Sequence, residues 1–431
     1  MVQIASPHTA KPNPGYSVTV ALDWADQKHA VALQVTGNSH VEKSQLKNTP
    51  EAMEEWAQHL AQRFPGCLIA VAIEQSRGAV VAALLKYAHL VIVPVHPNTL
   101  ANYRKSFCPS GAKSDPGDTE LLLDLVQKHP DRFQPLKADT VETRTLQLLT
   151  EQRRKLVEDR VAYSLRLTAW LKQLFPQVLD WFEDVCSPTV EQFLLRFPTL
   201  ERLQGARRAT LGKFFRKRHG QSDEDFEQRW EAIRRAVPIT TDEALLEAGT
   251  TAVQHLVKMI ALLRDSIASL AKRIEQLYCS HPDYFIFDSL PGAGGALGPR
   301  LLAALGTDRT RFSSASELQC WSGIAPVLES SGKQRHVHFR RACPQFIRQS
   351  VHEWAFRSLP HCQWARAFYQ EKRSHRVSHH AAVRALAFKW LRILFSCWRN
   401  RVPYDERLYL ASLERRRSHT LRPDSAASNV N

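Results

Sequence analysis

Apolar positions are distributed differently in the two parts of this chain. Near the start they form short runs: 17–23 (Ser-Val-Thr-Val-Ala-Leu-Asp), 29–35 (His-Ala-Val-Ala-Leu-Gln-Val), 67–73 (Cys-Leu-Ile-Ala-Val-Ala-Ile) and 89–95 (His-Leu-Val-Ile-Val-Pro-Val). Nearly continuous apolar runs of this length, bounded by polar or turn residues, predict buried strands. A short further strand is predicted within 40–47. Helical spacing follows at 50–64, from 74 to about 88, and briefly after 95. Three opening strands, then strands alternating with helices, predict an α/β sheet.

Further on the period changes to that of helices. Residues 140–175 read as one long basic helix, with Val157, Val161 and Leu165 on an apolar stripe among Arg153, Arg154, Lys155, Arg160, Arg166 and Lys172. Such a face is either solvated or in contact with phosphate. Residues 186–240 are mixed, and 213–219 (Lys-Phe-Phe-Arg-Lys-Arg-His) interleave aromatic and basic side chains. That pattern suits stacking on nucleic acid, and equally an amphipathic core helix. Leu246, Gly249, Val253, Leu256, Ile260, Leu263, Ile267, Leu270, Ile274 and Leu277 are spaced alternately three and four apart, a heptad seam. One helix cannot bury such a seam alone. It meets the 140–175 helix, a second copy of itself, or both, and a coiled coil that also supports self-association is the reading adopted. Residues 345–398 are again helical; His379-His380 is no metal pair, because adjacent side chains diverge by about 100° on a helix.

Composition narrows the class of partner. The 431 residues carry a formal charge of +15 and a pI near 9.6, a balance that suits a polyanion, nucleic acid before membrane. No apolar run is long enough to span a bilayer, and 1–15 is Pro-rich and polar, unlike a secretion signal. The eight Cys form no Cys-x-x-Cys pair, so neither a zinc ribbon nor a disulfide framework is indicated and a reduced, cytoplasmic setting fits.

Two predicted strands end in acids, Asp23 and Glu74, and two more acids, Asp115 and Asp118, open a helix that continues through 121–126. Residues i and i+3 share a helix face. Asp-Pro is also an ordinary helix start, but ligands of open α/β sheets collect at the carboxyl ends of strands. Four crowded carboxylates raise one another's pKa, and hard divalent cations with oxygen ligands, Mg2+ above all, remove the conflict.

Here the sequence resembles a known family. Leu22-Asp23-Trp24-Ala25-Asp26-Gln27-Lys28, Ala72-Ile73-Glu74-Gln75-Ser76-Arg77-Gly78 and Lys113-Ser114-Asp115-Pro116-Gly117-Asp118 are similar to the RuvC-like, ribonuclease-H-type core of the DEDD transposases of bacterial insertion sequences, recombinases guided by a bridge RNA. The resemblance puts that family's four acids on Asp23, Glu74, Asp115 and Asp118. It also changes the reading of 321–341. Gly323-Ile324-Ala325-Pro326 and Ser331-Gly332-Lys333 resemble the family's C-terminal segment, whose serine is the nucleophile; the register leaves Ser330 or Ser331, with Ser331 preferred, and Lys333, Arg335, Arg340 and Arg341 as phosphate contacts. Arg340-Arg341-Ala342-Cys343 departs from the family's basic-Gly-Asn turn. The turn at 291–295 resembles a helix-hairpin-helix, in which backbone N–H groups near Gly292 and Gly294 hold DNA phosphate.

The organisation expected is a disordered 1–15, a RuvC-like domain at 16–138, a helical coiled-coil region at 139–283, a mainly helical C-terminal transposase domain at 284–405 and a basic tail at 406–431. The resemblance implies a recombinase that cuts and rejoins DNA by serine attack with Mg2+, a structured guide RNA, a dimer or tetramer, and a bacterial cytoplasm, near the nucleoid. Two other readings stay open on the residues: a RuvC-like metal nuclease that uses water, and a non-catalytic nucleic-acid-binding scaffold.

Overall fold

The apolar runs near the start become the strands β1 (Val18–Asp23), β2 (Lys28–Val35), β3 (Glu42–Lys47), β4 (Ile69–Ile73) and β5 (Leu90–Pro94) in a computed structural model. The structure describes residues 16–107, 115–218, 222–331, 334–411 and 414, with only the backbone of Asp115, Pro116, Lys217, Arg218 and Arg335. The expectations for 1–15, Lys333 and most of the basic tail therefore lie outside the described residues. The chain divides into two compact units between Ala138 and Asp139.

In the first unit the five strands lie in the order β3-β2-β1-β4-β5. β1 pairs antiparallel with β2, and β2 with β3; β4 is parallel to β1 and β5 to β4. Alternation along each strand sends two kinds of residue to two faces. Val18, Val20, Leu22, Ile69, Val71 and Ile73 fill one core with Met53, Ala57 and Leu60 of α1 (Pro50–Arg63) and Val80, Val81 and Leu84 of α2 (Ala79–Leu84). Thr49 starts α1 by accepting the Ala52 N–H, with Pro50 at the first helical position. The other face is lined with small side chains, Ala21, Ala32, Ala70 and Ala72. They admit Leu100 of α3 (Pro97–Phe107) and Leu122, Leu125 and Val126 of α4 (Asp115–Lys128).

The second unit is built on two long helices, α5 (Val141–Leu174) and, after four short helices, α6 (Gln177–Trp181), α7 (Pro188–Arg196), α8 (Leu200–Gln204) and α9 (Arg208–Gly212), a wider turn at Lys213–Arg218 and α10 (Asp223–Arg235), the helix α11 (Glu243–Cys279). They run antiparallel. Gly249 packs so closely on Leu174 that a Cβ there would run into it, whereas Leu146 shares a core with Ile274 and Tyr278. The heptad seam thus meets the 140–175 helix within one chain, with Gly249, Val253, Val257, Ile260, Leu263, Ile267 and Ile274 buried. At one end of the pair, Phe214 and Phe215 lie in a core with Phe193, Phe226 and Leu171, so the aromatics of 213–219 pack inside and do not stack on nucleic acid. At the other end the C-terminal helices gather: α12 (Tyr284–Asp288), α13 (Gly294–Leu305), α14 (Ala315–Trp321), then a hairpin of β6 (Val327–Ser331) and β7 (Gln334–His338), then α15 (Gln345–Arg357), α16 (Gln363–Ser374) and α17 (His379–Asn400). Their core is rich in tryptophan: Trp354, Trp390 and Trp398 are fully buried, and each indole N–H finds an acceptor, at Pro291 O, Ser358 Oγ and Gly306 O. Among the described residues no helix is long and apolar enough to cross a membrane.

Candidate functional site

In the first unit the acids are placed by sheet register. β1 and β4 are adjacent and parallel, with Leu22 opposite Ile73. Asp23 is the last residue of β1 and Glu74 the first after β4, so they stand side by side at the carboxyl ends of neighbouring strands, roughly 5 Å apart along the ladder. Leu22 and Ile73 belong to the face covered by α1 and α2; Asp23, the next residue of β1, alternates to the face of Ala21 and Ala72, and Glu74 follows directly on β4. α4 covers that face. Its Asp118, 4% exposed, lies one and two turns before Leu122 and Leu125 on the inward stripe. Asp115 is one turn earlier in α4, with an undescribed side chain.

Asp118 already has a counter-charge. Arg104 of α3 donates from Nε to its Oδ1 at 2.6 Å, and both side chains are largely buried. One residue away, Tyr103 donates to Asp124 of α4 at 2.6 Å, a bond that pushes the phenol up to about 12. Two polar clips therefore fix α3 against α4. Arg104 carried no sequence signal, since a lone arginine in a short helix before a polar loop has no spacing that marks it as a partner. Among the described residues no three His, Cys, Asp or Glu are grouped closely enough to hold a metal ion. The donor types nonetheless suit a hard cation: carboxylate oxygens at strand ends, and a buried carboxylate that here is balanced by Arg104.

In the second unit the serines are on a hairpin. Ser330 pairs with Arg335 and Ser331 with Gln334 across β6 and β7, and both serines are exposed. Strand alternation separates them. Ser331 shares its face with Val327 and Glu329 and their partners His338 and His336; Ser330 shares the other with Leu328 and Val337. His338 pairs with Glu329 at 3.1 Å, and the His336 and His338 rings lie 6.2 Å apart. Arg340 is half-buried: its Nε donates to Ala325 O at 3.4 Å and ties the foot of the hairpin to the Gly323–Pro326 segment, while Arg341 is exposed.

The glycine-rich turn divides by role. Gly292 has φ +73°, and a Cβ there would run into the Arg357 carbonyl at the end of α15, so this glycine packs helix end against turn. Gly294 and Gly295 face open space at the start of α13.

Comparison with known proteins adds an independent finding. A family model of DEDD transposases of the IS110 type, described as a transposase, matches residues 20–176. A second, described as the transposase of the IS116/IS110/IS902 family, matches residues 285–370. The "Mini-circle putative transposase for IS117" of Streptomyces coelicolor is 29% identical over 92% of this chain and 97% of its own length. An insertion element IS900 protein of 42 kDa from Mycobacterium paratuberculosis is 27% identical over 78% of this chain and 83% of its own. An insertion element IS116 protein of 44.8 kDa from Streptomyces clavuligerus is 25% identical over 92% and 94%.

Proposed function

Because this chain belongs to the IS116/IS110/IS902 family of insertion-sequence transposases, we propose that it is a DNA recombinase that cuts and rejoins strands through a serine ester, with Asp23, Glu74, Asp115 and Asp118 holding Mg2+. The observation that carries this reading is placement: Asp23 and Glu74 at the carboxyl ends of adjacent parallel strands, and buried Asp118 on the helix that packs on that sheet. Three antiparallel strands followed by two parallel ones support a ribonuclease-H-type, RuvC-like core. A bound ion would supply Lewis-acid activation of phosphate and hydroxyl oxygens.

The rest of the chemistry falls to the chain's own residues. Ser331 Oγ forms a bond to phosphorus as the bond from phosphorus to one deoxyribose oxygen breaks; the hydroxyl proton leaves Oγ and the departing oxygen takes one up. The ester conserves the phosphodiester's energy, so a second hydroxyl can attack it and rejoin the strand without ATP. What supports Ser331 over Ser330 is the hairpin face. Ser331 has His336 as a diagonal neighbour, an imidazole suited to moving the proton, whereas Ser330 sits with Leu328 and Val337. In the sequence, Lys333, Arg335, Arg340 and Arg341 add positive charge close after the serines. Target choice by a structured guide RNA, assembly as a dimer or tetramer through the long helices, and a place in the bacterial cytoplasm close to the nucleoid belong to the same proposal.

The test is the product. Reaction with labelled DNA bearing the element's ends should leave DNA covalently attached to protein on a denaturing gel, and Ser331→Ala should abolish both the adduct and joining while Ser330→Ala retains them. Cleavage by Ser331→Ala at the parental rate would instead mean a nuclease that uses water. Unchanged DNA processing by Asp118→Asn would remove the acids from the chemistry.

A further inference from the structure

At the foot of the hairpin the C-terminal helices gather cationic side chains that no mechanism above uses. Phe339, directly after β7 and 41% exposed, carries two guanidiniums: Arg348 of α15 at 4.8 Å and Arg384 of α17 at 4.4 Å from its ring centroid. Beside them, His352 of α15 lies 5.9 Å from His380 of α17, which lies 5.1 Å from His379. Among the described residues no carboxylate pairs with any of these five groups. Of the acids on the adjoining elements, Glu353 pairs with Arg300 of α13 at 3.0 Å, Glu329 pairs with His338 at 3.1 Å, and the charge of Glu371 on α16 acts on Lys389; Arg348 itself donates to Arg340 O at 3.3 Å and to Cys343 Sγ at 3.4 Å. From α16 the His379 ring meets only the Tyr369 hydroxyl, at 2.8 Å. Burial first, then Arg384, His380 and His379, hold His352 below its ordinary value of 6.5; burial and then Arg348 lower Arg384.

Like charges collected without counter-ions repel, and a fold that keeps them together on a half-exposed surface has a polyanion to gain. We propose that Arg348, Arg384, His352 and His380 form a proton-linked phosphate clamp, which holds backbone phosphates of the DNA strand presented to the serine hairpin and takes up protons from solvent on binding. The assignment to DNA rests on the reading of Ser331 as nucleophile, because Phe339 joins the clamp directly to that hairpin. A phosphate placed among the imidazoles raises their proton affinity, so that free protein and complex hold different numbers of protons. Each imidazole protonated only in the complex makes DNA affinity rise up to about tenfold per pH unit of acidification.

Binding of a fluorescent DNA duplex to the full-length protein carrying Ser331→Ala, followed by anisotropy at constant salt, separates binding from chemistry. Affinity should increase roughly tenfold or more from about pH 8 to about pH 6. His380→Gln should flatten that profile, and His352→Gln should flatten it further. Arg384→Gln should weaken binding at every pH and lower the dependence of log affinity on log salt by about one. A profile of equal steepness in His380→Gln and in the doubly substituted protein, or an Arg384→Gln protein with unchanged affinity and salt slope, overturns the clamp even where Ser331 is shown to be the nucleophile. Loss of the serine adduct in otherwise active protein, with the pH profile intact, overturns the link to Ser331 and leaves the clamp. The same steep profile with a structured RNA but a flat one with DNA would reassign the ligand and refute the DNA assignment.

Discussion

Removal of Arg104 tests the acid face without any need for turnover. Arg104→Met keeps most of the side chain's apolar stem and deletes the guanidinium. The Asp118 carboxylate, 4% exposed, is then left with no counter-charge at 2.6 Å. Breaking one half of a buried pair costs about 3–5 kcal/mol, because the remaining charge stays desolvated. Exposure of the two side chains is only 15% and 5%, so solvent screening removes little of this. At roughly 3 °C per kcal/mol for a unit of this size, the first unit should melt about 10 °C lower. Addition of Asp118→Asn to Arg104→Met should recover most of the loss, since a neutral amide needs no counter-charge. If Asp118 is a metal ligand, Mg2+ can take over the guanidinium's role, and millimolar Mg2+ should raise the melting temperature of Arg104→Met well beyond its effect on the parent or on Asp118→Asn. Differential scanning calorimetry with and without Mg2+ gives all four comparisons. An Arg104→Met protein that melts within about 2 °C of the parent, or a double substitution no more stable than the single one, would refute the electrostatic account; a Mg2+ effect equal in all proteins would detach Asp118 from the metal.

Other consequences can be measured separately. Gly292→Ala should destabilise the second unit by several kcal/mol, on the order of an overpacking and left-handed-backbone penalty combined, whereas Gly295→Ala, facing open space, should melt as the parent does. Stability should fall between about pH 7.5 and pH 5.5, read as a shift in the urea midpoint. Burial lowers His29, His281 and His352 from 6.5, so the unfolded chain binds more protons in this window; the stabilisation is complete above the unfolded value and is lost as pH falls through the lower folded values. Local bonding agrees, because His29 Nδ1 accepts the Ala25 N–H and His281 Nδ1 accepts the Asp283 N–H, and neither nitrogen can keep its bond if protonated. Mass spectrometry after brief alkylation should find Cys279 modified early and Cys362 and Cys397 protected, since burial covers those two thiols and pushes each up to about 11.

What could be read in the sequence follows the range of the interactions involved. The strand before Asp23 and the strand before Glu74 were legible because local alternation and apolar continuity are sufficient to make a buried strand, and the register that sets the two acids side by side follows once both strands are parallel neighbours. The 246–277 seam was legible for the same reason, yet the choice between the 140–175 helix and a second copy as its partner stayed open: a heptad states that a helix has an apolar edge, and it took the close fit of Gly249 on Leu174 to identify α5 as a surface that covers it. Phe214 and Phe215 show the limit from the other side. Their basic neighbours suited a stacking surface and an amphipathic core helix equally, and aromatic burial is decided by what packs above, here Phe193 and Phe226. Side chains that meet only through tertiary packing left no trace at all. Arg104 reaches Asp118 across two helices, and Arg348 and His352, four apart on α15, meet Arg384 of α17 on one patch. For this chain, periodicity therefore located the residues that build the scaffold and the acids attached to its strand ends. The groups that balance, buffer or clamp charge had to be found in three dimensions, because electrostatic partners are chosen by distance in space and impose no period on the sequence.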